Sequence, residues 1–188
     1  MVQEARGNLA GALKSFRDSL AIRERLAQSD PGNADWQLDM SRAYEKVGDV
    51  QTAQGDTAGA LKSYRDSLAI RERLAQSDPG NADWQRSLSV AYERVGDVQV
   101  AQGDLASALK SYGAELAIMQ RLAQSDLSNA RWQRDVALSH EKVGDVQVAQ
   151  GDLTGALKSY GAELAIHAAA GASRSRQCRL AAGPVESL

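Results

Sequence analysis

A period of 48 residues governs this chain. Trp36, Trp84 and Trp132 recur at that interval, as do the V-G-D-V-Q segments that begin at Val47, Val95 and Val143. A second landmark, A-L-K-S followed by Phe or Tyr, starts at Ala12, Ala60, Ala108 and Ala156. Self-similarity at this length restricts the fold to arrays in which each unit buries its apolar face against its neighbours. The stretch Asn81–Asp126 shows one copy without interruption.

Each copy contains two helical patterns. The first helices are expected over about Ala34–Gln54 and its repeats. In the third copy their apolar stripe reads Trp84, Leu88, Tyr92, Val95, Val98 and Gln102, in steps of four and three. The second helices are expected over Asn8–Asp30, Thr57–Ser77, Leu105–Ser125 and from Leu153 onward. Their stripe in the third copy is Leu105, Ala108, Leu109, Tyr112, Leu116, Met119 and Leu122. The motif S-D-P-G-N at Ser29 and Ser77 punctuates the array. Asn33 is placed to cap the next helix, with Asp35 in its first turn, where negative charge suits the helix dipole. Gly55, Gly103 and Gly151 follow the first helices, where a left-handed residue is expected, and Asp56, Asp104 and Asp152 are placed to cap the second helices. A two-residue link of this kind makes an antiparallel helix pair. Gly48, Gly96 and Gly144 lie inside the first helices, at a cost of about 1 kcal/mol each relative to alanine. That cost, repeated at one position, implies close helix approach, with Ala60, Ala108 or Ala156 expected opposite.

The copies divide the chain into a partial unit, 1–33, two full units, 34–81 and 82–129, and a shortened last unit, 130–166. Met1–Arg6 reads as the closing turns of a first helix, so the array enters in mid-unit. After Ile166 the pattern stops, and His167–Leu188 is expected to be a non-repeat tail, helical to about Ala170 and disordered beyond Gly171. One back-translation of this tail, read one base later, gives M-Q-R-L-A-H-P-D-P-G-N-A-G-W-Q-R-D-L-S-S, a continuation of the repeat in register. The tail is therefore expected to be an out-of-frame translation of a further unit, and coding DNA that lacks this pattern in the shifted frame would sink that reading. On it, Cys178 and the arginines Arg174, Arg176 and Arg179 carry no selected function.

A formal net charge of −2 does not favour nucleic acid as a partner. The sequence has no apolar run of the roughly 18 residues that a membrane span needs, and its start, MVQEARGN, has no apolar h-region, so no secretory signal is expected. A single cysteine excludes an intrachain disulfide and fits a reducing compartment, so a cytoplasmic location is expected. Catalysis needs a convergent set of unlike groups, and the repeat body offers one histidine, His140, in the slot of Tyr44 and Tyr92. It reads as a drifted core position. The aromatics fall in repeat slots and read as packing, with Trp84 expected in the core. Gly103–Ser111 lacks the second glycine and the Lys-Ser spacing of a phosphate loop. No enzyme activity, cofactor or metal is expected.

The run Val95–Tyr112, V-G-D-V-Q-V-A-Q-G-D-L-A-S-A-L-K-S-Y, resembles the tetratricopeptide repeat family: a small glycine in the first helix, Gly-Asp at the turn, then a small alanine and an aromatic four residues later. The usual repeat of that family is about 34 residues, so this chain resembles a long variant with an extra heptad in each helix. It departs in having Gln99 where an aromatic is common, and Ser67 or Glu115 where a small alanine is common. The resemblance implies an all-α fold, a right-handed α-solenoid of antiparallel helix pairs, and a protein-interaction scaffold that binds a peptide or protein through its concave face. If that geometry applies, the acidic pairs Glu45 and Asp49, Glu93 and Asp97, and Glu141 and Asp145 line the groove and favour a basic partner segment. The competing reading is a solvated face neutralised by Lys46, Arg94 and Lys142. Two other functions stay open: a sensor or assembly segment of a larger signalling protein, and end-to-end self-association through the terminal helix faces.

Overall fold

The computed structural model describes residues 2–181, with side chains placed for residues 8–172. The helices are α1 (Val2–Ser29), α2 (Ala34–Ala53), α3 (Thr57–Ser77), α4 (Ala82–Ala101), α5 (Leu105–Ser125), α6 (Ala130–Gln150) and α7 (Leu153–Ala181). No described residue lies in a strand. The chain divides into two compact units, Met1–Ile118 and Met119–Leu188. The first holds α1 to α4 and most of α5, and the second holds the end of α5 with α6 and α7.

Helix ends follow the repeated polar residues. The side chains of Asn33, Asn81 and Asn129 accept from the backbone N–H of Trp36, Trp84 and Trp132 at 3.1, 3.1 and 3.2 Å. Gly55, Gly103 and Gly151 take positive φ of 78, 77 and 83°. The next residue's N–H then reaches back, Asp56 to the Gln51 carbonyl, Asp104 to Gln99 and Asp152 to Gln147, at 2.8–2.9 Å. This is the paired bonding of a Schellman motif, which satisfies carbonyls the helix leaves open. The aspartates then cap the second helices: Asp56 accepts from Gly59 N–H and Asp152 from Gly155 N–H, both at 2.9 Å, and Asp104 from Ser107 N–H at 3.1 Å.

Within the first unit α1 to α5 pack as antiparallel neighbours. In the α2–α3 pair Gln51 meets Ser63 near the turn, while Ser41 meets Arg71 at the far end. α3 turns another side to α4, with Ala60 and Tyr64 packed with Val95 and Val98, and Leu61 and Leu68 closing the cluster. A second cluster joins α1 and α2 through Leu20, Ala43 and Val47, with Phe16 and Met40 against it. In the second unit α6 and α7 repeat the pair: Ser159 donates to Gln147 Oε1 at 2.8 Å.

Several expectations need correction. α1 is one helix through Gly7, where a turn like that at Gly55 is expected. Asn8 stands there where the later copies have the capping aspartate. Trp36, Trp84 and Trp132 are half-buried, because they sit in the first turn beyond the deepest part of the helix pair. Gln102 is exposed as the helix cap, while Gln99, one turn earlier, is buried. Gly48, Gly96 and Gly144 lie beneath a tyrosine ring, not opposite alanine: a Cβ added to them would sit 2.6–2.7 Å from Cε1 of Tyr64, Tyr112 and Tyr160. Finally, α7 continues to Ala181 through much of the stretch 167–188. Its alanine-rich start propagates the helix, and residues 182–188 lie outside the described residues.

Candidate functional site

The six carboxylates proposed from sequence lie on the three first helices, and most are tied to the fold itself. Asp49, Asp97 and Asp145 each accept a hydrogen bond from the tyrosine of the following helix, Tyr64, Tyr112 and Tyr160, at 2.9, 2.7 and 2.7 Å. The glycine immediately before each aspartate makes this possible, because the ring lies where a side chain would otherwise stand. Burial, with the Asp49 carboxylate, pushes the Tyr64 hydroxyl up to about 12, the Thr52 hydroxyl pulling the other way. Burial and the hydrogen bond to Asp97 raise Tyr112 as well.

Glu45 is committed more deeply. Arg71 on α3 is 4% exposed. Its Nη2 donates to Glu45 Oε2 at 2.6 Å, its Nε to Ser41 Oγ at 3.2 Å and its Nη1 to the Ser87 carbonyl at 3.0 Å. One guanidinium thus ties α2, α3 and α4, with Glu45 as its counter-ion. Arg94 on α4 approaches the other oxygen of Glu45 at 3.7 Å, and Lys46 Nζ lies 3.1 Å from Asp49. Burial pulls the Arg94 guanidinium down, but Asp49, Tyr64, Glu45 and Glu93 outweigh it and its pKa is raised. Arg94 therefore stands among the acids of α2 and α4. Glu93 is half-buried, and Glu141 and Asp145 are exposed in the second unit.

Other polar groups form a ladder that recurs with the copies. Ser63 and Ser111 donate to the side-chain carbonyls of Gln51 and Gln99 at 2.6 and 2.7 Å. Tyr44 donates to Glu24 and Tyr92 to Glu72, both at 2.6 Å. His140 stands in that slot in the second unit, with Nε2 3.3 Å from Gln120 Nε2. Burial lowers its pKa, partly offset by Glu163. These are partners for core packing. The buried glutamines, Arg71 and Ser41 were not singled out as buried from sequence. The signal was there only in their recurrence at fixed positions beside the apolar stripe.

Beside Tyr44 lies an open cleft of about 450 Å³ lined by Met40, Tyr44, Asp66, Ala69, Ile70 and Arg73. It holds no nucleophile beside a base. Among the described residues no group of three His, Cys, Asp or Glu is placed to hold a metal ion, and no helix is long and apolar enough to cross a membrane.

The profile of the family described as Tetratricopeptide repeat matches residues 4–31 and 41–79. Residues 4–31 and 41–79 are thus similar to tetratricopeptide repeats, and the described residues form an all-α fold of antiparallel helix pairs. No curated protein matches it in sequence. Among solved structures, the crystal structure of MamA aligns with 90% of this chain and 94% of its own, at 14% identity and a TM-score of 0.47. The crystal structure of BtubC (BKLC) from P. vanneervenii aligns with 87% of this chain and 92% of its own, at 15% identity and a TM-score of 0.32.

Proposed function

We propose that the chain is a protein-interaction scaffold whose first helices receive a partner segment carrying basic side chains. The coarse part of this reading, a repeat fold that serves protein interaction, follows from the similarity to tetratricopeptide repeats. The finer part is supported chiefly by one observation: the same Tyr-to-Asp hydrogen bond recurs at Asp49, Asp97 and Asp145. A carboxylate offers about four acceptor positions, so an aspartate that accepts from a tyrosine, and at Asp49 also from Lys46, is not filled by that bond and can take a further one from a lysine or arginine of a partner. Its orientation is already set, which lowers the ordering cost of binding. Glu45 contributes less, because Arg71 and Arg94 occupy it.

The test is the binding of a lysine- and arginine-containing peptide, measured by titration at two salt concentrations. Asp97→Asn keeps an acceptor for Tyr112 and removes the charge. It should leave the melting temperature near that of the parent and weaken binding about three-fold, the size of one solvated charge contact. Equal binding by the variant, or affinity indifferent to salt, would overturn the acidic-groove reading.

A further inference from the structure

His140 stands on α6 in the slot that Tyr44 and Tyr92 hold in the earlier copies, and its partner has changed with it. Tyr44 and Tyr92 donate to Glu24 and Glu72, and the residue one period further on is Gln120. His140 Nε2 lies 3.3 Å from Gln120 Nε2. An amide nitrogen only donates, so the ring nitrogen accepts, with the lone pair of the neutral imidazole. Protonation converts Nε2 into a second donor aimed at the first, and the contact must then turn or part. A phenol in this slot undergoes no such change near neutral pH, where histidine is the side chain that titrates from its ordinary value.

The surroundings favour the neutral ring. His140 is half-buried. On its own helix the residues one turn away are Val136, Ala137, Val143 and Gly144, none of them charged. From α5, Gln120 brings no charge. On α7 the counterparts of Asp66 and Arg73, which line the cleft beside Tyr44, are Ala162 and Ala169. The charge that acts on the ring is Glu163 of α7, whose Oε1 lies 3.7 Å from His167 Nε2. Burial lowers the His140 pKa and outweighs Glu163, which raises it.

We propose that His140 and Gln120 form a pH-sensitive joint between α6 and the end of α5, closed by the neutral ring and opened by its protonation. A histidine whose folded pKa lies below its unfolded value of about 6.5 gives stability that is complete above that value and lost as pH falls through it. The second unit therefore loosens in mild acid, where the Tyr44 and Tyr92 contacts of the first unit hold.

The test is hydrogen exchange of the full chain at about pH 7.5 and about pH 5.5, resolved by peptide and corrected for the intrinsic rate of each amide. Protection of Ala130–Gln150 should fall about three-fold or more, while that of Thr57–Ser77 stays constant. The double variant His140→Tyr with Gln120→Glu restores the pair of the earlier copies and should abolish the loss. His167→Gln, which removes the other histidine beside Glu163, should leave the loss in place. The same variant assigns the two imidazole signals of the chain in an NMR titration, and His140 should titrate below about 6.5. Protection of α6 that is constant with pH, a loss that persists in the double variant, a loss that vanishes with His167→Gln, or titration of His140 at or above its ordinary value would each overturn the proposal.

Discussion

At Gly96 a single hydrogen atom decides where the neighbouring helix lies. Alanine is the better helix former by about 1 kcal/mol, but its methyl would meet the Tyr112 ring at 2.6 Å. Gly96→Ala should therefore destabilise the fold by about 1–3 kcal/mol, the usual range for overpacking. Gly113→Ala, with nothing within 4 Å of the new methyl, should be neutral or stabilising by up to about 1 kcal/mol. Urea denaturation of the two variants checks the contrast. Arg71 poses a different problem. Arg71→Ala leaves Glu45 and the Ser87 carbonyl without their donor, and about 3 kcal/mol should be lost. Arg71→Met should cost less, since the third copy carries Met119 in the same slot, buried. The tyrosines link these contacts to pH. Burial and the Glu72 carboxylate raise Tyr92 to about 12, and Tyr64 is also raised to about 12. A phenol whose folded pKa lies above its unfolded value of about 10 gives stability that is complete below pH 10 and lost as pH rises through 12. Melts from pH 9 to 12 should show that loss, and Tyr92→Phe should flatten it.

The elements owe their ends to short polar signals. Gly103 sits at φ 77° and lets Asp104 N–H return to the Gln99 carbonyl at 2.9 Å. Gly103→Ala should cost about 1 kcal/mol, because the left-handed conformation penalises a Cβ. Asn81→Ala removes the cap on Trp84 N–H and should cost about 1 kcal/mol as well. Thermal melts of both would check these values. Such signals are local and legible in sequence: the turn glycines, the capping aspartates and the capping asparagines stand where the pattern puts them.

On the scale of the molecule, stability in a repeat array is a sum of unit terms and nearest-neighbour contacts. In the first unit α3 is tied on both sides, by Arg71 to α2 and α4, while among the described residues the core cluster of α1 is shared with α2. Amides of α3 should therefore exchange with solvent more slowly than those of α1. Hydrogen exchange resolved by peptide would show this, and equal protection of the two helices would refute it.

The period and the apolar spacing of the sequence determined the helices, their order, their caps and their antiparallel pairing, since each depends on residues within a turn or two of one another. The position of the six carboxylates on the first helices was legible too. What they do was not. Whether Asp97 faces a tyrosine, whether Glu45 is held by a buried Arg71, and whether Trp84 lies in the core or at its rim depend on side chains far apart in sequence. Tertiary packing decided those, because a buried polar group is tolerated only where a distant partner satisfies it.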